Sequence, residues 1–301
     1  MNKTVIRPTF LLVAVLVLSL ILGGGYSLIK ANAAAPQRAT WLWDTTLIKK
    51  STPDILTFMS DNGVNLVYLQ IDRTMDAIYY KDFIRQASAK HIQVHALDGN
   101  AAWALVNQRP KLNTLFSWIA NYQAAALPEE RFQGIHLDIE PYQLPTWKTN
   151  QKNIIAQWQS NVQYTAAKAK ELHLPIAADV PFWLYTFKVA SGSQTLTSWM
   201  LSQYDSLTYM TYRDKATGIF SAAKPNLLEG AAAGKPVYAA VETNNTPEGS
   251  PISFYEEGAP FMNGELTKLQ GLVQDYTSYA GIAIHDYTGW KMLIERSYTS
   301  E

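Results

Sequence analysis

The chain has 301 residues, 48% of them hydrophobic and 17% charged, with 25 Lys and Arg against 25 Asp and Glu and no cysteine. That apolar content excludes a mostly disordered chain, and neutrality without an internal basic run gives no electrostatic footing for a nucleic-acid partner. The missing thiols exclude disulfides, Cys-ligated zinc, iron–sulfur clusters and thiol nucleophiles.

Lys3 and Arg7 precede an apolar run over residues 10–22, and Ala31-Asn32-Ala33 follows. A basic start, an apolar centre and a small–x–small site are the layout of a secretory signal. Residues 1–33 are therefore expected to be a signal peptide, cut after Ala33. An uncleaved membrane anchor is the alternative, because residues 9–29 nearly reach the roughly 20 apolar residues that span a bilayer. Either way the domain at 36–301 is expected outside the cytoplasm, secreted or in the cell envelope. It would touch a membrane only if the first segment stays attached.

From residue 40 onward, short β-branched or aromatic runs alternate with helix-period segments. Strands are predicted at 40–44, 65–72, 93–98, 134–140, 176–181, 206–212, 237–242 and 281–286. Between the first two, Thr52-Pro53-Asp54 reads as a helix start with Thr52 as N-cap and Gly63 beyond the stop. Further on, Leu112, Leu115, Phe116 and Ile119 share one helical face. So do Ile154, Ile155, Trp158 and Val162, and then Leu266, Leu269, Val273 and Tyr276. Strict strand–helix alternation implies a parallel sheet covered by helices, and eight units in one domain imply a closed (β/α)8 TIM barrel. A doubly wound open sheet is the alternative, but no strand is followed by a glycine-rich phosphate loop.

In such a barrel alternate strand residues point inward, and chemistry sits at the carboxyl ends of the strands. Asp72, Asp98, Asp138, Glu140, Asp179, Glu242 and Asp286 all fall at or near those ends. Helix or turn capping would account equally well for Asp44, Asp72 or Asp98 taken singly. The fourth strand is the most informative. Its Ile135, Leu137 and Ile139 alternate with His136, Asp138 and Glu140, which places the polar set inside the barrel. Two carboxylates at i and i+2 lie roughly 6–7 Å apart at their Cα atoms. Their mutual repulsion and enclosure raise one pKa. A Glu kept protonated near neutral pH is what a general acid for glycoside cleavage requires.

On these residues the chain resembles the family-18 glycoside hydrolases, the chitinase-like barrels. Their fourth strand reads D-G-x-D-x-D-x-E, against Gln133-Gly134-Ile135-His136-Leu137-Asp138-Ile139-Glu140 here. Tyr209-Met210-Thr211-Tyr212 resembles the family's M-x-Y segment on strand six. The resemblance implies that Glu140 protonates the glycosidic oxygen. It implies that Asp138 orients a substrate 2-acetamido group, whose oxygen attacks the anomeric carbon, and that Tyr212 hydrogen-bonds that oxygen. Met210 and Asp179 would line the substrate site. Where the family ends strand eight with Trp, this chain has His285, and Trp290 in the following loop is expected to substitute.

Two other readings stay open. Glu140 with Glu242 resembles the acid/base and nucleophile pair of retaining glycosidases that use strands four and seven, with Glu242 otherwise a substrate-binding residue. A non-catalytic sugar-binding barrel would use the same acids and aromatics. Of the loop aromatics, Trp183 and Trp290 are expected in the cleft, and Asp72 at its edge. Histidine spacing makes no metal motif, although His136 and His285 could approach each other inside a barrel. No cofactor is expected, and the expected partner is a glycan bound by a monomer.

Overall fold

The computed structural model describes residues 36–299. The expected signal segment and its cleavage site lie outside the described residues.

Eight strands form a closed parallel barrel: β1 (Gln37–Leu42), β2 (Leu66–Gln70), β3 (Gln93–Asp98), β4 (Gly134–Asp138), β5 (Ile176–Pro181), β6 (Ser206–Met210), β7 (Val237–Glu242) and β8 (Tyr279–His285). Each pairs with the next, and β8 closes on β1. Helices α1 (Leu47–Lys50) and α2 (Thr52–Asp61) follow β1, α3 (Ala77–Ala89) follows β2 and α4 (Arg109–Ala125) follows β3. Then come α5 (Trp147–Glu171), α6 (Leu196–Gln203), α7 (Ala216–Ala233), α8 (Gly258–Val273) and α9 (Tyr287–Thr299), one after each remaining strand. Among the described residues no helix is long and apolar enough to cross a membrane.

The two faces of the strands build two separate apolar clusters. Residues such as Val67, Val94, Ile135, Val180, Leu207 and Val241 point outward and meet the helices, where Ile55, Phe83, Leu115, Trp158 and Leu269 are buried. Burial of each large side chain there is worth about 1.5–3 kcal/mol. A smaller cluster of Ala39, Trp41, Leu66, Tyr68, Leu97 and Tyr238 fills the interior. The barrel is thus a packed core whose open chemistry is confined to its rim. Closure needs Gly281, which has φ +155°, because a Cβ there would lie 1.9 Å from the Gln37 carbonyl oxygen.

Strands β3, β5 and β7 have their predicted bounds, whereas β1 is shifted to Gln37–Leu42 because its first residues pair with β8 and β2. Strands β4 and β6 stop two residues early, so Glu140 and Tyr212 stand just beyond the ladder. Thr52 is not the cap of its helix. It is the first helical residue, and its hydroxyl donates back to the Ile48 carbonyl at 2.5 Å while Ser51 takes the cap position.

Candidate active site

The inward residues of β4, β5 and β1 form a buried polar column. His136 is fully buried, with its ring stacked on Tyr68 at 3.7 Å. Its Nε2 lies 2.8 Å from Asp179 Oδ1, and the Trp41 indole N–H donates to Asp179 Oδ2 at 2.8 Å. Asp179 is the register partner of Asp138, so the two carboxyl groups stand side by side on adjacent strands. Asp138 Oδ1 is buried and has no hydrogen-bond partner. Burial first, then Asp179 and Glu140, push the Asp138 carboxyl well above the usual range. The close packing extends to the backbone: a Cβ on Gly99, after β3, would sit 1.8 Å from the Asp138 carbonyl oxygen.

Glu140 follows where the chain leaves the sheet into a single turn at Pro141–Gln143. That turn returns two donors to it. Gln143 Nε2 donates to Oε1 at 2.7 Å, and the Tyr142 hydroxyl donates to Oε2. Tyr142 is backed by Trp183, ring to ring at 4.9 Å. Burial and the Asp179 charge push the Glu140 carboxyl up to about 7, against the opposing pull of His285 and Gln143. Tyr212, after β6, sits among the acids. Burial, then Glu242, Asp179, Asp138 and Glu140, hold its phenol well above the ordinary value, so it is a neutral donor.

On the far side of the rim, Glu242 is saturated with donors. Oε1 accepts from the backbone N–H of Thr243 and of Asn244 at 2.8 Å, and from Asn244 Nδ2 at 2.9 Å. Oε2 faces His285 Nδ1 at 2.8 Å. Burial opposes its charge, but the bonds from His285 and Asn244 leave Glu242 below the usual range. The other nitrogen of His285, Nε2, accepts the Trp43 indole N–H at 3.0 Å.

The structure therefore brings Asp138, Glu140, Asp179, Tyr212, Glu242 and His285 to one end of the barrel. Met210 is the last residue of β6, half-buried and on the inward alternation with Thr208. Trp183 reaches the site through Tyr142. One expected cleft residue is elsewhere, and another is committed to a turn. Trp290 is 1% exposed and packs on Phe58 of α2 at 5.3 Å, in the layer between sheet and helices. It lies one turn into α9, which starts directly after β8, and that turn aims it at the outside of the barrel. Asp72 is turned onto its own loop, accepting from the Thr74 amide at 2.8 Å and hydroxyl at 2.6 Å. Those two bonds lower its pKa. Likewise Asp98 pairs with Arg73, Asp286 accepts from the Gly289 amide at the head of α9, and Asp44 caps a turn at Thr46. Sequence reasoning missed Trp41, Trp43, Gln143 and Asn244. The run Ala39-Thr40-Trp41-Leu42-Trp43 carried the signal for two of them, since its alternation sets both indoles inward.

No protein-family model and no curated protein sequence matches the chain. Its fold, however, is that of known glycan hydrolases. The chain is similar to a chitinase from Chromobacterium violaceum ATCC 12472, with 10% identity and a TM-score of 0.55 over 89% of this chain and 100% of that one. The C-terminal domain of a putative chitinase from Desulfitobacterium hafniense DCB-2 is similar at 9% identity and TM-score 0.57, over 85% and 94% of the two chains. The spore cortex-lytic enzyme SleL of Bacillus megaterium QM B1551 is similar at 10% identity and TM-score 0.54, over 86% and 73%. At these identities the likeness is one of fold.

Proposed function

We propose that this protein is an exported glycoside hydrolase acting on a cell-envelope or environmental polysaccharide that carries N-acetylglucosamine. The observation that supports it most is the pairing, at one strand end, of Glu140 held up to about 7 with Asp138, whose buried Oδ1 has no partner. A carboxyl with that proton affinity keeps its proton near neutral pH and can still release it.

In this reading Glu140 donates its proton to the glycosidic oxygen as the bond to the anomeric carbon breaks. The acetamido oxygen of the same sugar closes on that carbon, so the nucleophile belongs to the substrate. The free Oδ1 of Asp138 accepts the acetamido N–H. The negative charge of the Asp138–Asp179 pair then stabilises the cation that forms, at low dielectric and without reorganisation. Tyr212, kept neutral by the surrounding acids, donates its O–H to the acetamido oxygen. Glu140, now a carboxylate, takes a proton from the water that opens the ring, and the configuration is retained. Glu242 is not the nucleophile in this scheme, since four donors already occupy its oxygens. The secretory layout of residues 1–33 supports work outside the cytoplasm.

Purified protein assayed on defined β-linked glycans, with the anomer of the first product read by NMR, tests the proposal. Retention of configuration on acetamido sugars is expected. Glu140→Gln should lower turnover by roughly 10²–10⁴ while leaving oligosaccharide binding nearly intact. Wild-type turnover in Glu140→Gln would sink the scheme. Binding without turnover by the wild-type protein would make this a sugar-binding barrel.

A further inference from the structure

Trp43 ends a chain of hydrogen bonds that fixes its indole at the rim. Three N–H groups of the β7 loop fix Glu242, Glu242 fixes His285 through Nδ1, and His285 Nε2 accepts the Trp43 N–H. Trp43 is half-buried, packs on the inner cluster and stands directly after β1, at the carboxyl end of the barrel. An indole nitrogen can only donate, and a neutral imidazole has one donor and one acceptor nitrogen. The arrangement therefore requires the neutral ring, with its proton on Nδ1.

We propose that Trp43 is the sugar-stacking residue of this site, and that His285 is a positioning residue that holds it through a hydrogen bond available only to the neutral imidazole. The proposal rests on the glycan reading above. A protonated ring carries N–H on both nitrogens, so Nε2 would face the indole N–H with a second donor. Glu242 anchors the ring, so the indole is what must leave.

The groups around His285 pull its titration in opposite directions. Glu242 from β7 favours the cation, as do the neighbouring Asp286 and the Asp179 charge from β5. Glu140 faces it from the end of β4. Burial opposes the cation, and so does Trp43 from β1, which needs the bare Nε2. Trp41 packs edge-on at 5.3 Å, and Tyr212 from beyond β6 lies at 5.9 Å. Burial is the largest influence, but the Glu242 contact leaves the ring above its ordinary 6.5. The latch then opens as pH falls, when the ring gains its second proton, and it does so at a higher pH than an ordinary imidazole would.

The test has two arms on the intact protein. In the first, the Trp43 indole N–H resonance, assigned by its loss in Trp43→Phe, is followed with pH. It should shift with a midpoint above 6.5, and the shift should vanish in His285→Gln, which cannot titrate. A resonance that ignores pH overturns the positioning role. In the second, the Glu140→Gln protein is titrated with the N-acetylglucosamine tetramer. Adding Trp43→Ala should weaken binding at least about tenfold, and Trp43→Phe should restore most of it. Affinity should drop several-fold between pH 8 and 5.5. His285→Gln keeps an acceptor but cannot titrate, and it should flatten that dependence. Unchanged affinity in Trp43→Ala overturns only the stacking role. Failure of the Glu140→Gln protein to bind the tetramer overturns the acetamido-glycan reading, and the stacking role with it.

Discussion

Asp179 accepts the Trp41 indole N–H on Oδ2 and has His136 Nε2 at 2.8 Å from Oδ1, whereas the buried Oδ1 of Asp138 beside it has no nitrogen against it and no hydrogen-bond partner. The asymmetry divides the labour of the pair. Asp179 is tied to its neighbours, and Asp138 keeps an acceptor for whatever enters. Both depend on residues that the motif on β4 does not contain, namely Trp41 and Asp179 itself.

Replacing Asp179 by Asn should shift the acid chemistry. Its charge is the second cause, after burial, of the raised Glu140 carboxyl. Glu140 loses its useful proton as pH rises through its pKa, so removing that charge should move the alkaline limb of kcat/KM to lower pH. The limb should not return to the ordinary carboxylate range, because burial remains. Loss of the charged acceptor for the Trp41 indole N–H should also cost about 1–3 kcal/mol in a urea melt. A limb that stays in place would show that Asp179 does not act on Glu140.

Gln143→Ala should do the opposite. Gln143 donates to Glu140 Oε1 from an exposed position and favours its charged form. Without that donor the Glu140 proton is held more tightly, and the alkaline limb should move up in pH. Stability should change by no more than about 0.5 kcal/mol, as for most exposed substitutions. The same pH profile measured on both variants checks the pair of opposite signs.

Local periodicity made the barrel and the β4 acids legible, because the alternation of Ile135, Leu137 and Ile139 with His136, Asp138 and Glu140 needs no distant information. The acids and Tyr212 at the other strand ends were legible too, but the aromatic partner of His285 was not. Trp290 follows β8 in sequence, while Trp43 reaches His285 only because β1 becomes the neighbour of β8 on closure. An acid at a strand end is equally ambiguous. Asp72 has Thr74 two residues on and turns away to cap it, and Glu242 has Asn244 two residues on and is capped by it while still facing inward. The difference lies in the long β7 loop, which folds back so that the Phe254 amide meets the Glu242 carbonyl.

Glu140 should make the fold less stable as pH rises. Its carboxyl is raised from 4.5 to about 7 in the folded state. Between those values the native protein holds a proton that the unfolded chain releases, so stability falls with increasing pH. The loss is on the order of 3 kcal/mol at most and is complete above about pH 7. Glu140→Gln cannot ionise and should escape it. Urea melts should show the variant matching the wild type near pH 4 and exceeding it at pH 8. Equal stabilities at pH 8 would mean that the native carboxyl is not raised.

Glu242 decides between the two retaining schemes. As a nucleophile it would need a free oxygen directed at the sugar, yet Oε1 already accepts three N–H groups and Oε2 faces His285. Glu242→Ala should therefore act on structure, stranding four donors and costing several kcal/mol. Glu242→Gln keeps the shape and should fold. It should weaken glycan binding modestly through His285 and lower kcat/KM by roughly tenfold or less. External azide should restore nothing in either variant, because in the substrate-assisted scheme the attacking oxygen is the substrate's own. If Glu242 were the nucleophile, the alanine variant would lose turnover almost completely, and azide would enter the vacated space and release an inverted glycosyl azide. Product analysis by mass spectrometry and NMR with and without azide separates the outcomes, and a glycosyl azide from Glu242→Ala would overturn the substrate-assisted scheme.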